Sequence, residues 1–154
     1  MLQLVHGPIA DPNDALPPVS LRVDRITLAK RLWRGAADDG MEFGFELTTP
    51  LKHGDVVHQT SIARYVITQQ EEAVVEISLD VAPSAAAGIG WAIGNLHLEL
   101  SAEATRLVAA DEPAVRQLLE RLKVPCRQKK AIFRPGRFAR GAFPTHDLGP
   151  SHKH

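Results

Sequence analysis

The sequence is poor in the residues that most often carry chemistry by themselves. Only one of its 154 residues is cysteine, Cys126, which excludes an intrachain disulfide and a cysteine-built zinc site. Aromatic residues make up 5%, so a core has to be assembled from leucine, valine, isoleucine and alanine. Neither sign of charge dominates, since 18 Lys and Arg balance 18 Asp and Glu. No apolar run approaches the roughly 20 residues of a membrane span. The first residues lack the basic and apolar regions of a secretory signal. A cytoplasmic protein with no membrane partner is the expectation. Catalytic motifs are missing too: there is no Gly-x-Ser-x-Gly elbow, no glycine-rich phosphate loop and no His-Glu-x-x-His. The chain reads as a non-enzyme.

What is present is a change of pattern near residue 70. Residues 1–18 carry Pro8, Pro12, Pro17 and Pro18 and read as an irregular leader. Val19, Leu21 and Val23 alternate with polar residues, as do Phe43, Phe45 and Leu47, and Ala63, Tyr65 and Ile67. Such alternation marks half-buried strands. Asp38-Asp39-Gly40 and His53-Gly54-Asp55 fall between the apolar runs as turns. Residues 1–70 therefore read as an all-β domain.

Beyond residue 70, Val75, Ile77 and Leu79 predict a strand. Pro83 opens a helix in which Ala85, Ile89, Ala92 and Ile93 share a face. Gly94-Asn95 is a left-handed stop, after which Leu96, Leu98 and Leu100 predict a strand with His97 at its start, on the side away from the leucines. Leu107 and Val108 mark another strand. Asp111 is the expected N-cap of a helix carrying the stripe Val115, Leu118, Leu119 and Leu122. That helix stops at Val124 before Pro125, and Lys130 to Phe133 predict a final strand. The order β-α-β-β-α-β is that of the ferredoxin-like split βαβ. The expected fold class is α+β: an N-terminal all-β domain (1–70), a ferredoxin-like βαββαβ domain (71–140) and a short disordered tail (141–154), with fixed structure fading after Arg134.

Two features point to function. The first is histidine. His97 stands alone in the second domain, and the tail adds His146, His152 and His154. One imidazole holds a metal weakly, but a two-fold dimer doubles it, because an isologous contact presents the same residue from both chains. Imidazole suits nickel, copper and zinc. The second is charge: Arg121 to His146 contains eight Lys or Arg and no Asp or Glu. With a ferredoxin-like sheet this gives an alternative, an RNA-binding module. Against it, Val74, Glu76 and Ser78 stand where RNA readers carry stacking aromatics. His6, His53 and His58 receive no role, and Cys126 reads as a small core residue.

Two longer motifs carry a resemblance. Arg31-Leu32-Trp33-Arg34-Gly35-Ala36-Ala37-Asp38-Asp39-Gly40-Met41-Glu42-Phe43-Gly44-Phe45, followed by Pro50-Leu51-x-x-Gly54-Asp55-Val56, resembles the N-terminal domain of the UreE family of urease accessory proteins. Gly90-Trp91-x-x-Gly94-Asn95-x-His97 is similar to that family's metal-site motif. The resemblance spans about residues 19–134. It implies a homodimeric nickel metallochaperone without nucleic-acid partners. His97 of each chain would bind Ni(II) at the dimer interface, with His146, His152 and His154 as auxiliary ligands and Zn(II) or Cu(II) as competitors. The ion would pass to a GTPase partner and the apo-urease assembly complex. The first domain would be of a peptide- or partner-binding type. Three departures stand out: Leu96 where arginine is common, no histidine in Leu107-Val108-Ala109-Ala110, and only three tail histidines. They imply one interfacial ion per dimer rather than a store of many.

Overall fold

The computed structural model describes the backbone of residues 1–140 and 143–147 and the side chains of residues 1–136. It divides into two compact units, Met1–Gln70 and Glu71–His154. Among the described residues no helix is long and apolar enough to cross a membrane.

The first unit holds two three-stranded sheets. In one, β1 (Gln3–Val5) lies parallel to β4 (Glu42–Glu46), which pairs antiparallel with β3 (Leu32–Ala36). In the other, β2 (Pro18–Val23) lies parallel to β6 (Arg64–Gln69), which pairs antiparallel with β5 (Val56–Gln59). The leader is thus not wholly irregular, since Gln3–Val5 adds a strand. The alternation read from the sequence has a physical basis here. Trp33, Phe43 and Phe45 from one sheet and Leu21, Val23, Tyr65 and Ile67 from the other fill a single core. Ile26 and Leu28 lie on a one-turn helix, α1 (Arg25–Leu28), whose first turn is capped by the Asp24 carboxylate accepting from the Thr27 amide at 2.8 Å.

The Asp38-Asp39-Gly40 turn closes the β3–β4 hairpin, with Gly40 at φ 89°. Both carboxylates also tie this turn to the other sheet. Asp38 accepts from Arg22 Nε and Nη2 at 3.2 and 3.1 Å, and Asp39 accepts from the Tyr65 hydroxyl at 2.6 Å.

The second unit runs β7 (Glu72–Ser78), α2 (Pro83–Asn95), β8 (Leu100–Ala102), β9 (Arg106–Ala110), α3 (Pro113–Arg121), β10 (Arg127–Ala131), β11 (Arg137–Arg140) and β12 (Phe143–Asp147). The strands form one sheet in the order β10-β7-β9-β8-β11-β12. Each neighbouring pair among the first four is antiparallel. Strand alternation splits the side chains between two faces. Val75, Ile77, Leu107 and Ala109 meet Ile89 and Ile93 of α2 and Val115, Leu118 and Leu119 of α3. On the opposite face Val74 and Val108 are covered by Phe133.

Several boundaries differ from the sequence reading. Ala85 is exposed, and α2 buries only Ile89 and Ile93. Glu112 rather than Asp111 occupies the N-cap of α3 and makes no side-chain cap bond; Asp111 instead pairs with Arg116 at 2.8 Å. Strand β10 begins at Arg127, ahead of Lys130, and Phe133 lies beyond it against the sheet. Cys126 is exposed rather than in the core. The expected fading of fixed structure after Arg134 is corrected at Arg137–Arg140, and the expected disordered tail (141–154) at Phe143–Asp147, since these two segments pair as a hairpin. Gly136, at φ 85°, donates its amide to the Leu100 carbonyl at 2.8 Å. That bond starts β11 along the otherwise open edge of β8, where the registered pair is Phe138 and Ala102.

Candidate functional site

Helix α2 is built of small residues around two anchors. Ile93 is fully buried and Ile89 nearly so, which fixes one face on the sheet. The outward face carries Ala87, Gly88, Trp91, Gly94 and Asn95, all exposed. Trp91 is 70% exposed, far more than an indole normally shows. A Cβ added at Gly88 or Gly94 would meet nothing within 4 Å. Glycine inside a helix costs about 1 kcal/mol against alanine, and packing within the chain requires neither of these two.

The helix does not stop at Gly94-Asn95. It runs through Asn95 and closes with Leu96 as C-cap. The His97 amide donates to the Gly94 carbonyl at 2.9 Å, and the Leu98 amide donates to the Ile93 carbonyl at 3.3 Å. This pair of bonds is a Schellman closure, in which the residue after the cap takes left-handed geometry and is usually glycine. Here that residue is His97, at φ 56°. The expected strand start is corrected accordingly: His97 ends a helix, and β8 begins only at Leu100. Leu98 packs against the cluster that holds Ile93, while His97 is exposed. Leu96 is also exposed rather than core-facing. Helix α3 closes the same way around Lys123, also at φ 56°.

Among the described residues His97 has no neighbouring group that would complete a set of three metal-ligating side chains. His146 lies on β12, in register with Phe138, and its side chain is outside the described residues. His152 and His154 lie outside them altogether. Backbone direction nevertheless relates the tail to His97. Strand β11 is parallel to β8, and β12 is antiparallel to β11. The chain therefore leaves β12 at the end of the sheet where β8 begins, which is also where α2 delivers His97.

In the first unit, His53 and His58 are engaged within the fold. His53 Nδ1 accepts from the Gln69 amide at 3.0 Å, and the His58 ring lies against Phe43 and Tyr65. On the helix-free face of the second unit a cavity of about 380 Å³ is lined by Val74, Ser101, Glu103, Arg106, Val108 and Phe133. Arg106 is bound there to Glu76 at 2.7 Å and to Glu103 at 2.5 Å. The Arg106 hydrogen bond holds the Glu76 carboxyl below its ordinary value. The RNA reading draws no support from this face among the described residues, where the aromatic ring, Phe133, is buried beneath the surface.

Comparison with known proteins finds one family over the second unit and relatives over most of the chain. Residues 72–154 match the family model described as UreE urease accessory protein, C-terminal domain. Three relatives carry the name urease accessory protein UreE. The one from Ruegeria sp. (strain TM1040) is 27% identical over 143 residues, covering 92% of this chain and 77% of the relative. The one from Cereibacter sphaeroides is 28% identical over 135 residues, 86% of this chain and 71% of the relative. The one from Beijerinckia indica subsp. indica is 31% identical over 114 residues, 70% of this chain and 64% of the relative.

Proposed function

Because the chain belongs to the UreE urease accessory protein family, we propose that it is a cytoplasmic nickel metallochaperone that delivers Ni(II) for assembly of the urease active site. The protein works as a homodimer. One Ni(II) is held between the two His97 side chains and then passed to the urease accessory GTPase and the apo-urease complex. The second unit serves as a ferredoxin-like metal-binding and dimerisation domain, the first as a partner-binding domain.

The observation that carries this reading is the pairing of an exposed His97 with the bare outer face of α2. That face is apolar, displays Trp91, and has glycines that packing within the chain does not need. A second copy packing helix to helix gives Gly88 and Gly94 a purpose, since small residues let backbones approach closely. A two-fold axis there brings two copies of His97 together at the helix ends.

Two imidazoles make an incomplete, open site. Such a site exchanges its ion readily, as a carrier requires and a structural centre does not. The tail supports it: β12 ends on the His97 side of the sheet, and His152 follows Asp147 by five residues, a reach of up to roughly 16 Å. His146, His152 and His154 are the auxiliary ligands of this reading. Proton competition for imidazole makes uptake weaken with acid.

Calorimetric titration of the full chain with Ni(II) tests it. The expected result is about one ion per two chains, with affinity reduced about tenfold or more by His97→Ala and by a smaller factor on truncation after Asp147. Equal affinity in His97→Ala would sink the proposal.

A further inference from the structure

We propose that the outer edge of β10 is a docking edge for an acidic, extended segment of a partner protein, which joins the sheet as an added strand. Among the described residues strand β10 is the terminal strand of its sheet and pairs with β7 alone. Its outward N–H and C=O groups are open among the described residues, and such a row is a template for another strand. Arg127, Gln128, Lys129 and Lys130 are all exposed. Because side chains alternate along a strand, the cations flank the edge on both faces.

Five cations, Arg121, Lys123, Arg127, Lys129 and Lys130, lie on β10 or between the end of α3 and it, while Arg137 and Arg140 lie on β11, across the sheet. Residues 121–146 hold eight of the 18 cations and none of the 18 carboxylates, so the remaining chain is acidic in balance. Among the described residues Arg121, Lys123, Arg127 and Lys130 make no ion pair, whereas Lys129 is 3.5 Å from Glu76. Cations on an edge repel a second copy of the same edge, so this chain does not pair with itself there. The same charges attract an anionic strand, which combines rejection of one occupant with selection of another. Nucleic acid fits less well. An edge offers main-chain donors and acceptors in the spacing of a polypeptide, and Phe133, two residues beyond β10, is buried. The edge also stands clear of the metal reading, because β7 and β9 separate β10 from β8, the strand that follows His97.

The test uses the full chain and a fluorescent capped peptide alternating Glu with Val, followed by anisotropy at physiological salt. The expected result is saturable binding that falls about tenfold or more in the double variant Arg127→Glu, Lys130→Glu. A peptide alternating Lys with Val does not bind. Strand addition uses the N–H groups of alternate peptide residues only. N-methylation in one alternate phase therefore abolishes binding to the unaltered chain, and in the other phase leaves it. Equal binding by the double variant, equal binding by both methylated phases, or tighter binding of a single-stranded oligouridylate than of the acidic peptide would each overturn the proposal.

Discussion

Across the end of α2 the Leu98 amide reaches back to the Ile93 carbonyl at 3.3 Å, and the residue enclosed by this clasp in left-handed geometry is His97. Leu98 and Ile93 belong to one apolar cluster, so the hydrogen bond and the side-chain packing close the same turn. His97 is thereby presented to solvent at a fixed position while its neighbours on both sides are held.

A left-handed backbone costs a non-glycine residue about 1 kcal/mol or more, and glycine nothing. The clasp therefore predicts a trade between fold and ligand at this position. Without metal, His97→Gly is expected to unfold at a higher temperature than His97→Ala, by about 2–4 °C, while both lose Ni(II) binding alike. Thermal unfolding followed by circular dichroism reads the order; a His97→Ala chain more stable than His97→Gly would refute the cap geometry.

The two ends of the clasp differ in depth. Ile93 is fully buried, and Ile93→Ala is expected to cost about 2–4 kcal/mol through lost burial and the cavity left behind. Leu98 is only partly buried, so Leu98→Ala costs less, roughly 1–2 kcal/mol. Its larger effect falls on Ni(II) affinity, because it loosens the turn that holds the imidazole. Urea unfolding together with nickel titration separates the two effects.

The exposed indole predicts the assembly state. Trp91→Glu places a charge in the contact proposed between copies of α2, and a central Trp there is worth about 2 kcal/mol or more. Sedimentation is expected to show the dimer dissociating at concentrations about thirtyfold higher than for the parent. Gly88→Leu is expected to weaken the dimer too, through bulk, without destabilising the isolated chain. A Trp91→Glu chain that stays fully dimeric at low micromolar concentration would place the interface elsewhere.

In the first unit the Tyr65–Asp39 bond predicts a pH window. The Tyr65 hydroxyl, together with the Met41 amide, holds the Asp39 carboxyl below its ordinary value, and Asp39 raises the Tyr65 phenol above its own. The carboxylate's contribution is present above about pH 4 and is lost as pH falls through its lowered value. The phenol's contribution is present below about pH 10 and is lost as pH rises through its raised value. Tyr65→Phe is expected to lower the unfolding midpoint by about 4 °C near neutrality. Its midpoint should converge on the parent's at both extremes of pH. A difference that stays constant from pH 3 to pH 11 would show that the bond contributes nothing.

Much of this molecule is legible from local pattern. Phe43, Phe45, Tyr65 and Ile67 repeat every second residue because one face of each strand is buried, and Val115, Leu118 and Leu119 repeat at helical spacing for the same reason. The motif around His97 was legible as composition but not as geometry. Glycine and asparagine are the ordinary left-handed residues, so Gly94-Asn95 drew the helix stop forward. What overrode them is the fit of Leu98 against the Ile93 cluster, a contact made only once the sheet is assembled. The hairpin β11–β12 was illegible for a related reason. Its strands have no apolar alternation of their own and form along the edge that β8 leaves open.

The sequence by itself determined the two-unit division of pattern, the apolar faces, the isolation of His97 and the gathering of cations after residue 120. These follow from residue type and spacing, which act locally. Tertiary structure alone decided that His97 closes a helix in left-handed geometry, that Trp91 stands on an uncovered face, and that β12 ends on the His97 side of the sheet. Each depends on which distant segments meet, and burial of the shared core rather than local propensity selects those meetings.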